Sequence, residues 1–268
     1  MSNRTDTLRE LILVSDFDQT LSFKDSGHVL SELMGIPNFT EKVERLSRTY
    51  LVQQGGELAY LLIHDEDFRE VRREHLREAG KKVRLKANIH LLSHALQRIE
   101  NSHFSMYVVS AGPQDIVEAA LEGVVPPAHI FASHLNFDDE GRVDSVESLR
   151  AGYGKVIILD QLRAQVPVSH HNIVYVGDGS SDIHVMLHVN RLEGLTIAVS
   201  ENTHLTPIAR RTVLSDDALS ILIPIFEEIF RWDTNQIRSF YEEHGFVLQN
   251  WEKIQTDRVS ILSSSVDK

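Results

Sequence analysis

Asp16 and Asp18 stand two residues apart in Asp16-Phe17-Asp18-Gln19-Thr20, directly after the apolar run Leu11-Ile12-Leu13-Val14. At the end of a buried strand both carboxylates project near one mouth of a sheet, and their repulsion is costly unless a cation neutralises it. A hydroxyl follows at Thr20, and a second acidic cluster, Gly177-Asp178-Gly179-Ser180-Ser181-Asp182, follows another apolar run. Carboxylate oxygens suit Mg²⁺, and a carboxylate beside such a cation can attack phosphorus. The pattern predicts a Mg²⁺ site that handles phosphate. Gly-Asp-Gly-Ser-Ser also reads as an Asx turn leading into a helix N-cap, a role compatible with metal binding.

The elements that must position these residues follow from the apolar pattern. Residues 11–14, 106–109, 173–176 and 195–199 are short, continuously apolar runs, as expected of strands buried on both faces. Amphipathic helical patterns lie between them at 87–99, 113–121, 155–164 and 182–189. Strand alternating with helix predicts an α/β fold, a parallel sheet covered on both faces with ligands at the carboxyl ends of its strands. Asp16, Ser110 and Asp178 all fall at such ends. The expected division is an α/β core of residues 1–22 and 87–215, a small helical cap inserted at 23–86, and a helical extension at 216–268. Residues 130–143 read as a β-hairpin turning at Asp138-Asp139-Glu140-Gly141. In the extension Leu219, Leu222, Phe226, Ile229 and Phe230 form one stripe, with Pro224 at a boundary or kink and helices continuing through Phe240, Tyr241 and Trp251. The stripe is expected to cover the core, with a homodimer face as its second reading.

With 268 residues the chain is long enough for a sizeable core. A formal net charge of −12 argues against a general nucleic-acid or anionic-membrane binder. The absence of cysteine excludes disulfides, thiolate metal sites and cysteine catalysis. The polar start and the lack of any apolar run near the ~20 residues that span a bilayer predict a cytoplasmic location and no membrane partner.

Taken together, the motifs resemble those of the haloacid dehalogenase superfamily of phosphatases, closest in layout to its phosphoserine-phosphatase-like branch. Asp16-Phe17-Asp18-Gln19-Thr20 matches DxDxT, Val108-Val109-Ser110-Ala111-Gly112 the strand ending in Ser, Lys155 the third-motif lysine, and Gly177 to Asp182 the pattern GDGxxD. The resemblance implies a three-layer core with an inserted helical cap and hydrolysis of a small phosphorylated metabolite. Asp16 would attack phosphorus and form an aspartyl-phosphate. Asp18 would protonate the leaving group and then activate water. Asp16, the Asp18 carbonyl and Asp178 would hold Mg²⁺, while Asp182 would hold a metal-bound water or Lys155. Thr20, Ser110, the Ala111-Gly112 turn and Lys155 would bind the phosphoryl group.

Departures from the branch fall around the substrate. Asp25 stands nine residues after Asp16, where phosphoserine phosphatases carry a Glu that helps read the substrate's amino group; Ala111 and Ser181 replace the usual Gly and Asn. Arg45, Arg48, Arg69, Arg72, Arg73 and Arg84 are available in the insertion to read an anionic substrate. The pairs His90/His94 and His184/His188 share helix faces but lack a third ligand and read as surface or core histidines. Two other functions share this chemistry: a phosphotransferase or phosphomutase with the same intermediate, and a receiver-type phospho-accepting module. The receiver's acidic pair is consecutive and it has no cap, both unlike this chain.

Overall fold

The computed structural model describes residues 9–49, 53–97, 99–166, 168–253 and 257–263; Tyr50 and Leu51, which belong to the helical pattern of the insertion, lie outside them. In chain order the elements are β1 (Arg9–Ser15), α1 (Ser26–Met34), α2 (Phe39–Thr49), α3 (Glu57–His64), α4 (Arg73–Lys82) and α5 (Ile89–Leu96). Then come β2 (Ser102–Pro113), α6 (Gln114–Ala120), β3 (Ile130–Phe137), β4 (Val143–Ser148), α7 (Tyr153–Gln165) and β5 (Ile173–Gly177). The chain continues through α8 (Ile183–Arg191), β6 (Leu195–Ala198), β7 (Arg211–Leu214), α9 (Leu222–Ile225), α10 (Thr234–Glu243), β8 (Phe246–Lys253) and β9 (Asp257–Ser263).

The strands form one sheet in the order β4-β3-β2-β1-β5-β6-β7-β9-β8. Pairings from β3 across to β9 are parallel, and only the two outermost pairs, β3 with β4 and β8 with β9, are antiparallel. Successive residues of β1 enter different cores: Leu11 and Leu13 pack in one apolar cluster, Ile12 and Val14 in the other. That division is why the strand reads as continuously apolar, since both of its faces are covered by helices. The central β1 delivers Asp16 to the carboxyl edge, flanked by Ser110 near the end of β2 and Asp178 just past β5.

Between β1 and α5 the chain builds α1 to α4 over that edge. Asp25 caps α1 by accepting the Gly27 N–H at 2.7 Å, and Gly35 ends the helix in the left-handed region. α4 is fastened to the sheet side. Arg73 and Arg77 both reach Asp115 on α6, at 2.9 and 3.2 Å, and the Arg73 N–H donates to the Gly141 carbonyl in the turn between β3 and β4. The hairpin at 130–143 forms as its sequence suggests, with β3 also parallel to β2.

Three expectations need correction. The extension is not purely helical: Gly245, at φ 81, ends the helical run, and β8 and β9 follow as a hairpin whose inner strand pairs with β7. Trp251 therefore lies on a strand. The reason is visible in Phe246 to Gln249, where Leu248 is buried and Val247 and Gln249 are exposed, a period of two. Pro224 sits inside α9, and the boundary comes later, where a π-helical turn over Phe226–Phe230 ends at Arg231 with φ 61. Finally, β2 stays extended through Ala111 and Gly112, so that α6 begins at Gln114 and not at Pro113. Leu219, Leu222 and Phe226 are buried, so the C-terminal stripe covers the core. Among the described residues no helix is long and apolar enough to cross a membrane.

Candidate active site

Asp16 follows directly on β1, and its N–H donates to the Val176 carbonyl at 2.8 Å, fixing it between β1 and β5. The residue is 4% exposed. Its Oδ1 accepts the Phe17 N–H at 2.7 Å and lies 2.9 Å from Nζ of Lys155. Lys155, on the first turn of α7, is fully enclosed and bridges Asp16 to Asp182, whose Oδ1 is 2.7 Å away. Of the two roles expected for Asp182, the geometry supplies the second, holding Lys155. Oδ1 also accepts from Tyr175 Oη at 2.6 Å, and Oδ2 accepts the N–H groups of Asp178 and Gly179 at 3.1 and 3.2 Å. Both oxygens thus accept from protein donors, which fixes the Gly177–Asp182 loop.

Tyr175 was not legible as a site residue, because it sits inside the apolar run of β5. Its hydroxyl makes a charge-assisted hydrogen bond in a fully buried setting. Tyr175→Phe is expected to cost about 1.5–3 kcal/mol of stability and to lower kcat by loosening the Asp182–Lys155 pair. Urea titration beside a rate assay checks this, and an unchanged midpoint would contradict it.

Asp18 is held differently. Its Oδ1 accepts the Ser26 N–H at 2.6 Å and its Oδ2 the Ser26 hydroxyl at 3.0 Å, so the start of α1 orients it. Gly112 lies where Ser26, Asp18 and Ser110 converge; a Cβ there would come within 2.9 Å of Ser26 Oγ and 3.1 Å of Asp18 Oδ2. Ser110 is fully buried and its Oγ accepts the Gly112 N–H at 3.0 Å. Thr20 is buried too, its hydroxyl 3.5 Å from Asp178 Oδ1. The Asp178 carbonyl accepts from the Ser200 hydroxyl. Ligand-atom oxygens of Asp16, Asp178 and Asp182 all lie within 4.8 Å of one another.

These groups open into a cavity of about 240 Å³. Its core wall includes Asp16, Asp18, Ala111, Gly112 and Asp178, and the insertion contributes Asp25, Ser26, Phe39, Ser47 and Glu57. Ser110, Thr20 and Lys155 stand behind this lining. Gln53 ties the two sides together through a 3.1 Å hydrogen bond from its Nε2 to the Ala151 carbonyl. Gly55, at φ 90, lets the insertion approach the side chains of Ser181, Ala111 and Ala151. None of the arginines singled out in the sequence lines the cavity: Arg73 pairs with Asp115, Arg48 with Glu44, and Arg84 stacks over Phe23. Nor do the histidine pairs; His94 bonds the His90 carbonyl, His188 pairs with Asp160, and His184 is exposed.

A family model described as haloacid dehalogenase-like hydrolase matches residues 13–187. The chain belongs to that family. It is 31% identical over 130 residues to a 2-hydroxy-3-keto-5-methylthiopentenyl-1-phosphate phosphatase of Exiguobacterium sp. (strain ATCC BAA-1283 / AT1b). The match takes in 48% of this chain and spans only about half of that relative, 56% of its length. Among solved structures, a substrate-bound phosphoserine phosphatase superposes with a TM-score of 0.65 at 20% identity, covering 80% of this chain and 97% of that one. A phospho-aspartyl intermediate analogue of phosphoserine phosphatase gives the same TM-score and identity, covering 80% and 98%. These two likenesses establish the fold of this haloacid dehalogenase-like hydrolase.

The electrostatics of the hydrolase site follow from that packing. Burial, reinforced by the Asp182 charge and opposed by Lys155, raises Asp16 to about 7. Asp18 is pushed well above the usual carboxylate range by burial and by the charges of Asp25 and Asp16, with the Ser26 bonds opposing. Asp178 rises through burial and the charges of Asp16 and Asp182. Burial alone would depress Lys155, but the Asp16 and Asp182 carboxylates outweigh it and hold the amine above its ordinary value. Lys86 is a further basic group that the sequence did not single out. Burial lowers it, while the charges of Asp178 and Asp216 act the other way.

Proposed function

We propose that this hydrolase is a Mg²⁺-dependent phosphatase that hydrolyses a small phosphomonoester through an aspartyl-phosphate on Asp16. The observation that carries the reading is the position of Asp16, at the cavity floor, 2.9 Å from a buried lysine and beside Asp18 and Asp178. The donor set fits the metal. Clustered carboxylates raised by burial and by one another call for a compact cation with oxygen ligands, and Asp16, Asp178 and the Asp18 carbonyl would hold it. When bound, Mg²⁺ supplies charge neutralisation for the phosphoryl oxygens.

The residues of the chain then divide the work. The Asp16 carboxylate attacks phosphorus as the ester P–O bond breaks, and the Asp18 carboxyl gives its proton to the leaving oxygen. Asp18 next takes a proton from water, which attacks the aspartyl-phosphate and releases phosphate with Asp16 restored. The raised Asp18 suits the first of these steps, since its carboxyl keeps a proton where an ordinary one would not. Lys155 keeps Asp16 in place and offsets charge gathering on the phosphoryl group, with Ser110 and the Ala111-Gly112 backbone as further donors. Residues 23–86 serve as the cap that encloses the leaving group, and Asp25 faces that group.

Release of inorganic phosphate from a panel of phosphorylated metabolites, with Mg²⁺ and after exhaustive chelation, tests the proposal. Activity should vanish on chelation, return with Mg²⁺, and return poorly with Ca²⁺, whose looser shell suits the in-line geometry badly. Full activity in metal-depleted protein would overturn the metal assignment.

A further inference from the structure

Among the described residues, the insertion's wall of the cavity carries two carboxylates and no cation. Glu57, the first residue of α3, is 8% exposed and lines the cavity together with Asp25, Ser47, Phe39, Val43 and Leu58. Its Oε1 accepts from the Ser47 hydroxyl at 3.0 Å and its Oε2 from the Gly55 N–H at 2.8 Å. These are neutral donors, so the negative charge is oriented but not cancelled. Burial raises Asp25; opposing this are backbone N–H groups and the charge of His28, which packs edge-on against Phe39 and does not line the cavity, and no lysine or arginine among the described residues pairs with it. No lysine, arginine or histidine is among the described residues lining the cavity, and Lys155 behind it is already shared by Asp16 and Asp182.

A ligand meeting this wall faces acceptors on one part and the apolar surfaces of Phe39, Val43 and Leu58 on the other. A carboxylate there would be held beside like charges with no partner, which disfavours it at a desolvated site. An ammonium would instead complete the unspent charge of both carboxylates, with its carbon chain on the aromatic and aliphatic side.

We propose that the leaving group is an amino alcohol, cationic and without a carboxylate, and that Glu57 acts with Asp25 as its reader. This rests on the phosphatase reading above and narrows it to a substrate class different from phosphoserine, whose leaving group bears both charges. The two claims separate in one experiment. Values of kcat/KM are measured for phosphoethanolamine, phosphoserine, glycerol 1-phosphate and the aryl ester p-nitrophenyl phosphate.

Phosphoethanolamine should exceed both phosphoserine and glycerol 1-phosphate by about tenfold or more, a difference of one modest charge interaction in the transition state. In Glu57→Gln the ratio of phosphoethanolamine to p-nitrophenyl phosphate should fall about tenfold, because only the former uses the charge. Phosphoserine or glycerol 1-phosphate matching phosphoethanolamine in the wild-type enzyme overturns the proposal while leaving the phosphatase reading intact. Equal losses on both esters in Glu57→Gln overturn the role of Glu57, since a structural residue would act that way. Should Glu57→Gln not fold, the wild-type ranking alone decides. Hydrolysis of none of the four, with Mg²⁺ present, would overturn both claims.

Discussion

Asp16→Asn will reduce kcat to less than about a hundredth of wild type, which corresponds to at least ~2.7 kcal/mol of lost transition-state stabilisation. The amide has nearly the size and shape of the carboxylate but is no nucleophile toward phosphorus. The fold should survive. Asp16 is one of several acids crowded at the edge of the sheet, and burial already raises it. Lys155 keeps its second partner, Asp182, in the variant. A denaturation midpoint close to wild type together with the collapse in rate would place the defect in chemistry. Retention of a larger rate in the purified, correctly folded variant would count against covalent catalysis.

Lys155→Met should damage both stability and activity. The lysine is buried between Asp16 and Asp182, and removing one partner from a buried ion pair costs about 3–5 kcal/mol because the remaining charge is left without compensation. Turnover should fall by about 10²–10³, the scale for losing one preorganised charge or donor at an oxyanion. Adding Asp182→Asn to Lys155→Met removes one stranded carboxylate, so the double variant should regain part of the stability and none of the rate. Urea titrations and steady-state rates on wild type, Lys155→Met, Asp182→Asn and the double variant form a cycle that exposes this coupling. A Lys155→Met enzyme as stable as wild type and within tenfold of its rate would remove Lys155 from the account.

Much of this architecture could be read from residue order because the signals were local. The runs at 11–14, 106–109, 173–176 and 195–199 are apolar on both faces of their strands and correspond to β1, β2, β5 and β6. Asp16, Ser110 and Asp178 come together because each ends or follows a neighbouring parallel strand. What escaped were contacts made across the chain. Ser26 lies eight residues past Asp18 and reads as an ordinary helix start, yet it supplies both donors to that carboxylate. Tyr175 is hidden by its apolar neighbours. Glu57 opens a helix, where acidic residues are common, and only the fold turns it toward the cavity. The arginines of the insertion failed as substrate readers for the opposite reason: helix-surface spacing cannot say which face meets the site. β7 has four residues, too few for a clear period, and the helical rhythm of α10 masked the alternation that begins at Phe246.

The central claim is a phosphoryl group carried covalently on Asp16. Asp18→Asn should still allow attack on an activated aryl phosphate, whose leaving group needs little protonation, while slowing the water step that requires a base. Acid-quenched Asp18→Asn enzyme, mixed with p-nitrophenyl phosphate and Mg²⁺ and examined by intact and peptide mass spectrometry, should carry one added phosphoryl group on the peptide containing Asp16. The adduct should be absent when Asp16→Asn is combined with Asp18→Asn. An adduct on a different residue, or p-nitrophenol released over many turnovers by Asp18→Asn with no adduct at any quench time, would contradict the aspartyl-phosphate mechanism.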